Sequence, residues 1–231
     1  MKPASTRIKI CGLRDTATIE AMDGLPFHEI GFVFAPSKRQ VSREEASRLL
    51  EAVSRIQAAG GKPPSTVGVF VNMPLDEMDD LLSAVPLQVV QLHGSETPEY
   101  CKQLKRKHPG IAIWRVFSVG KGAGSESAKE SAPEAALRLE AYRGLIDAVL
   151  IDAPGGGTGQ PFDWEVIESY KAAAARFGLP LYVAGGLNEG NVEQLLNGYA
   201  PDGVDVSSGV ETDGRKDINK IRLFVGKVTN S

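Results

Sequence analysis

The sequence predicts a parallel α/β fold closed as a single (βα)8 barrel of the TIM type, with residues 1–231 forming one domain. Three observations carry this expectation. Eight short β-rich runs recur along the chain, helical apolar patterns separate them, and the whole length is 231 residues. A barrel of this kind typically takes about 250 residues, which leaves little room for two ordinary domains. An open doubly wound sheet is the alternative, but eight units in this length favour closure.

The eight runs are Ile8–Cys11, Glu29–Phe34, Thr66–Val71, Val89–Leu92, Ala112–Val119, Ala148–Ile151, Leu181–Ala184 and Gly203–Ser207. Several are nearly continuous apolar stretches, such as Val67-Gly68-Val69-Phe70-Val71, the habit of parallel strands covered on both faces. Ala46, Leu49, Leu50, Val53 and Ile56 recur at helical spacing, and so do Ile218, Ile221, Phe224, Val225 and Val228. Asn72-Met73-Pro74 reads as a cap and first-turn proline before Leu75, Met78, Leu81 and Leu82. Further helix starts are expected at Thr97-Pro98-Glu99, at Asp163-Trp164-Glu165 and between Asn188 and Asn191. The stretch from Gly120 to Pro133 has almost no large apolar residue and reads as a solvated loop after the fifth strand.

Composition narrows the function classes. Hydrophobic residues make up 42% and charged residues 24%, which allows a large core and excludes a disordered chain. Net charge is −3 with no long block of one sign, so neither a nucleic-acid surface nor a polybasic membrane anchor is expected. There is no apolar run of 18 residues and no signal-peptide pattern at the N-terminus. The two cysteines, Cys11 and Cys101, form no CxxC pair and read as reduced thiols. The default reading is a cytoplasmic protein, monomer or homodimer, whose partner is a small phosphorylated molecule.

In a barrel the reactive residues sit at the C-terminal ends of the strands. Gly185-Gly186 closes the seventh run, and Ser207-Ser208-Gly209 closes the eighth. Glycine N–H groups and serine hydroxyls at these two ends suit a phosphate; each alone reads equally as a tight turn. Cys11 ends the first run and is a candidate base or nucleophile, or a small apolar filler. Asp152 follows Val149-Leu150-Ile151, where an apolar pocket would raise a carboxyl pKa; capping a turn is its other reading. His93 ends the fourth run as a substrate contact or a structural histidine. Arg39, in Ser37-Lys38-Arg39, suits a carboxylate or a solvated turn. Gly155-Gly156-Gly157-Thr158-Gly159 is either a closing loop or a passive connector. No histidines share metal-ligand spacing, so neither a metal nor another cofactor is expected.

Taken in order, these segments resemble the phosphoribosylanthranilate isomerases. The matching pieces are KICGL at 9–13, GFVFAPSKRQV at 31–41, VGVFVN at 67–72, VQLHG at 90–94, LIDAPGGGTGQPFDW at 150–164, VAGGLNEGNV at 183–192 and DVSSGVET at 205–212. Gly214, Lys216 and Asp217 follow. The resemblance implies an Amadori rearrangement of N-(5'-phosphoribosyl)anthranilate in tryptophan biosynthesis, by general acid–base catalysis. It makes Asp152 the acid and Cys11 the base. It sets Arg39 against the anthranilate carboxylate, and Gly185, Gly186, Ser207, Ser208 and Gly209 against the phosphate. His93 and Asp205 line the site. Such an acid must stay protonated near neutral pH, so Asp152 needs a pKa well above about 3.9. The thiol needs one below about 8.5.

Three features depart from the family pattern: Gln160 where a lysine is common, Arg14 where a threonine is usual, and the length of Gly120–Pro133. Two other sugar-phosphate barrels compete with this reading. Indole-glycerol-phosphate synthase shares the phosphate loops but not KICG, and the two-aspartate sugar isomerases of histidine biosynthesis have an aspartate where Cys11 stands. A phosphate-ligand binding protein without turnover is the rival from another class, and it has no need for both Cys11 and Asp152.

Overall fold

The computed structural model describes residues 6–119, 131–153 and 164–231. Eight parallel strands form a closed barrel in sequence order. They are β1 (Arg7–Cys11), β2 (Glu29–Val33), β3 (Ser65–Phe70), β4 (Val89–Leu92), β5 (Ala112–Ser118), β6 (Ala148–Asp152), β7 (Leu181–Val183) and β8 (Gly203–Val206). Every strand end falls within one residue of the expected run. The barrel shuts where β1 pairs with β8, with Lys9 opposite Asp205 and Ile10 opposite Val206.

Helices α1 (Thr16–Ala21), α2 (Arg43–Arg55), α3 (Leu75–Ala84), α4 (Pro98–Lys107), α5 (Ala132–Glu140), α6 (Val166–Arg176), α7 (Val192–Tyr199) and α8 (Ile218–Thr229) follow the strands in turn. Their boundaries have local causes. Ser42 caps α2 in a reciprocal box with Glu45. Thr97 caps α4 and Pro98 supplies its first turn. Asp217 caps α8.

Two expectations need correction, and a third lies partly outside the described residues. Asn72 does not cap α3; Pro74 occupies that position without a side-chain bond. Asn72 instead sits at φ 52°, and its carboxamide oxygen accepts from the Ser95 N–H and hydroxyl. An Asn tolerates that left-handed geometry because its short polar chain finds local donors. The solvated stretch ends sooner than Pro133. The Glu134 carboxylate accepts from the Ser131 N–H at 2.7 Å and so starts α5, with Pro133 in its first turn. At α6 the cap position is Glu165; Asp163 lies outside the described residues, as do the glycine run Gly155–Gly159 and Gln160.

Two-residue periodicity separates two cores. Ile8, Ile10, Ile30, Phe32 and their equivalents face the helices. Val67, Val89, Trp114, Val116, Ala148, Leu150, Tyr182 and Ala184 fill the barrel interior. The Trp114 and Tyr182 rings, 4.4 Å apart, help plug that interior, so no pore runs through it. The same alternation turns Arg7, Lys9 and Cys11 inward along β1. A short antiparallel ribbon, β9 (Glu211–Thr212) with β10 (Arg215–Lys216), follows β8 and stands beside the barrel mouth.

Candidate active site

A cavity of about 410 Å³ opens at the C-terminal ends of the strands. Its lining brings together nine of the ten expected site residues: Cys11, Arg39, His93, Asp152, Gly185, Gly186, Asp205, Ser207 and Ser208. The tenth, Gly209, is outside that lining. A Cβ there would meet the Leu187 carbonyl oxygen at 1.8 Å, so its bareness lets the turns after β7 and β8 pack against each other.

Cys11 is buried at the end of β1, and the Ser207 hydroxyl donates to its carbonyl at 3.2 Å. Burial pushes the thiol pKa up from its ordinary value; Lys9 pulls it down, Asp205 adds to the rise, and Lys216 opposes it. The thiol therefore departs from the lowered pKa that thiolate chemistry requires. The reason is desolvation, which outweighs both ammonium groups. Lys9 is completely buried and donates to Asp205 Oδ2 at 2.9 Å. Burial works against the Lys9 charge, but Asp205 and Cys11 more than offset it and hold its pKa above the ordinary range.

Asp152 ends β6 and is 5% exposed. Among the described residues its Oδ1 has no hydrogen-bond partner, and its Oδ2 lies 3.4 Å from His93 Nε2. A buried carboxyl oxygen without a donor is costly in a purely structural role and suits one that waits for a ligand. Asp205 Oδ1 is likewise unpartnered among the described residues. Gly185, at φ 85°, gives Asp152 its room: a Cβ would stand 2.9 Å from Asp152 Oδ1. The N–H groups of Gly185 and Gly186 find no acceptor among the described residues. With Ser208 in the same lining, these N–H groups and its hydroxyl are donors open to an anion.

Arg39 comes from the loop after β2, where Ser37 Oγ accepts its N–H. Its guanidinium is not solvated. Nε and Nη2 donate to the two oxygens of Glu211 at 2.6 and 3.0 Å. Lys216 donates to Glu211 at 2.8 Å and to the Ser207 carbonyl at 2.8 Å. Burial pushes the Glu211 carboxyl up, but the donors from Arg39 and Lys216 prevail and hold it down to about 2. Among the described residues, no three His, Cys, Asp or Glu side chains are grouped to hold a metal ion.

Sequence reasoning missed Lys9, Glu211 and Lys216 as parts of this site. Lys9 carried a usable signal: Arg7, Lys9 and Cys11 alternate on one face of a strand otherwise read as apolar. Glu211 and Lys216 reach the site through other side chains, and their only signal was their place in and after the matching piece DVSSGVET.

A titratable pair at the open mouth of a closed parallel barrel is the layout of a (βα)8-barrel enzyme. Comparison with known proteins gives the family. A profile described as N-(5'phosphoribosyl)anthranilate (PRA) isomerase matches residues 8–227. An N-(5'-phosphoribosyl)anthranilate isomerase from Brevibacillus brevis is 42% identical over 227 residues, which is 96% of this chain and 93% of that one. The crystal structure of phosphoribosyl anthranilate isomerase from Thermotoga maritima superposes with a TM-score of 0.76 at 32% identity, covering 98% of this chain and 100% of that one. A phosphoribosyl anthranilate isomerase in complex with reduced 1-(o-carboxyphenylamino)-1-deoxyribulose 5-phosphate gives a TM-score of 0.74 at 31% identity, covering 98% and 100%. The chain belongs to the phosphoribosylanthranilate isomerase family.

Proposed function

We propose that this chain converts N-(5'-phosphoribosyl)anthranilate to 1-(2-carboxyphenylamino)-1-deoxyribulose 5-phosphate, with Asp152 as the acid and Cys11 as the base. Asp152 gives its proton to the furanose ring oxygen, the ring C–O bond breaks, and a Schiff base forms. Cys11, ionised with the Lys9 and Lys216 ammonium groups pulling against its burial, takes the proton from the adjacent sugar carbon as a thiolate and leaves an enolamine. In the last step the former anomeric carbon gains a proton and the enol hydroxyl loses one, which gives the ketone and returns both groups to their starting states. Each proton transfer by a positioned group is worth about 10²–10⁴-fold in rate.

The observation that carries this reading is the shared cavity: Cys11 and Asp152 line it together with Arg39 and with Gly185, Gly186, Ser207 and Ser208. Arg39 takes the anthranilate carboxylate, and those glycines and serines take the phosphate. Gly209 serves the phosphate site indirectly, by letting the two turns meet. His93 and Asp205 line the same cavity, with His93 beside the acid. The product-like ligand of the related crystal complex carries the same two anionic ends, a carboxyphenyl group and a phosphate. Turnover of N-(5'-phosphoribosyl)anthranilate by the purified protein tests the assignment. Binding of the substrate without turnover would replace it with the reading of a phosphate-ligand binder.

A further inference from the structure

Arg39 reaches the cavity wall with one edge of its guanidinium already committed. Nε and Nη2 both face Glu211, at 2.6 and 3.0 Å. A guanidinium is a rigid planar fork, so engaging one edge fixes the plane and the direction of the other edge. Arg39 lines the cavity and Glu211 does not. Glu211 belongs to β9, on the ribbon after β8, so it spans 172 positions of sequence to reach this arginine. The aliphatic stem of Arg39 packs over Gly12, where a Cβ would stand 2.7 Å from Cδ.

Charge completes the arrangement. A lone Arg–Glu pair is neutral and attracts an anion weakly. Here Lys216, whose side chain is 2% exposed, donates to the same Glu211 oxygen that Arg39 Nε reaches. The cluster of two cations and one anion keeps a net charge of one positive unit beside the cavity. Lys216 also ties the cluster to Ser207, through its carbonyl at 2.8 Å and its hydroxyl at 3.3 Å.

We propose that Glu211 is a positioning residue that aims Arg39 at an ortho-carboxylate on the aryl group of the substrate, and so sets the preference of the site for a carboxylated arylamine. This rests on the reading of Arg39 as the carboxylate contact. A pre-aimed fork loses less rotamer freedom when the ligand arrives, so the gain is specific to ligands that carry the carboxylate.

The test compares two stable probes by calorimetry: the reduced, secondary-amine analogue of the product, and the same molecule with phenyl in place of carboxyphenyl. Glu211→Gln removes one acceptor and turns an amide donor toward the fork. It is expected to weaken the carboxyphenyl probe about tenfold, or 1.4 kcal/mol, and leave the phenyl probe within about twofold. Unchanged phenyl binding also reports an intact fold. Glu211→Asp keeps the charge on a shorter arm and is expected to lose less selectivity. Equal losses on both probes would reduce Glu211 to a structural tie. A gain on the carboxyphenyl probe would also overturn the proposal, because it would mean that only the net charge counts. Arg39→Met separates the two layers. If it fails to discriminate between the probes, the carboxylate reading itself falls; if it discriminates and Glu211→Gln does not, only the positioning role falls.

Discussion

Glu29 and Asp152 are both carboxylates buried on the inward face of a barrel strand, one at each end of the barrel. Glu29, at the N-terminal end and 1% exposed, accepts from Arg7 Nε at 2.8 Å and from the Tyr182 hydroxyl at 3.1 Å. Arg7 Nε also reaches the Tyr182 oxygen at 2.8 Å, so three side chains close that end on one another. One Glu29 oxygen, Oε2, is left over, but the other is held by two partners. Asp152, at the C-terminal end, has only His93 at 3.4 Å among the described residues. Donors placed around a buried carboxylate make it part of the frame, while a carboxylate left nearly bare beside a cavity is set aside for a ligand. On the proposed reading the barrel keeps stability at one end and chemistry at the other.

The comparison breaks first if the bare end is not the reactive one. Cys11→Ala and Asp152→Asn are each expected to lower turnover by at least about 10²–10⁴-fold, while a product analogue still binds. Single-turnover kinetics beside calorimetry check this. Normal turnover in the Cys11→Ala protein would remove it as the base and point to another strand-end residue. The next effect is on binding alone. Arg39→Met removes one charge-assisted contact to the carboxylate and is expected to raise the Michaelis constant about ten- to a hundredfold with little change in turnover. An unchanged constant counts against that contact.

The closed end should respond in the opposite way. Glu29→Gln leaves Arg7 without its anion, and is expected to destabilise the fold by about 1–3 kcal/mol with turnover unaltered. Arg7 keeps 45% of its side chain in solvent, which holds the figure toward the lower part of that range. Urea unfolding and a turnover assay on the same preparation decide it. A loss of turnover at full stability would erase the division between the two ends.

The fold was legible because strands buried on both faces leave continuous apolar runs, and those runs were the strands to within a residue. The candidate site was legible as positions, because a barrel opens its cavity at the strand ends, and Cys11, His93, Asp152 and Ser207 all line it there. What lay beyond the sequence was how the side chains pair. Nothing in Val210-Glu211-Thr212 shows that its glutamate meets Arg39, since the contact depends on the path of the β9–β10 ribbon. The chemistry asks for a lowered thiol pKa, but its direction could not be read from sequence, because the balance is set by how tightly Cys11 is enclosed, and burial pushes it up. Asn72 was read from its place before a proline as a cap, while the tertiary contact to Ser95 decided its conformation. Gly209 was placed with the phosphate donors from its motif, while the room its missing Cβ gives to the packing of two turns was not visible there.

Glu211 offers the smallest and most pointed test, because it is a half-buried carboxylate close to the reactive end yet fully supplied with donors. Its carboxyl is held to about 2 against an ordinary value of 4.5: burial alone would raise it, and the donors from Arg39 and Lys216 reverse the sign. A carboxylate whose folded pKa is depressed binds its proton more readily in the unfolded chain. Its contribution to stability is therefore complete above about pH 4.5 and is lost as the pH falls from there toward 2. Glu211→Gln has no such titration. Its urea midpoint is expected to fall less steeply than that of the parent protein between about pH 5 and 3, with the two curves drawing together at the acid end. Asp79 and Asp217, also held below their ordinary values, stay in both proteins and keep a residual slope in each. Parallel curves would mean that the cluster joining Glu211 to Arg39 and Lys216 does not persist in solution, and Glu211 would then belong with Asp152, as a carboxylate waiting for a partner.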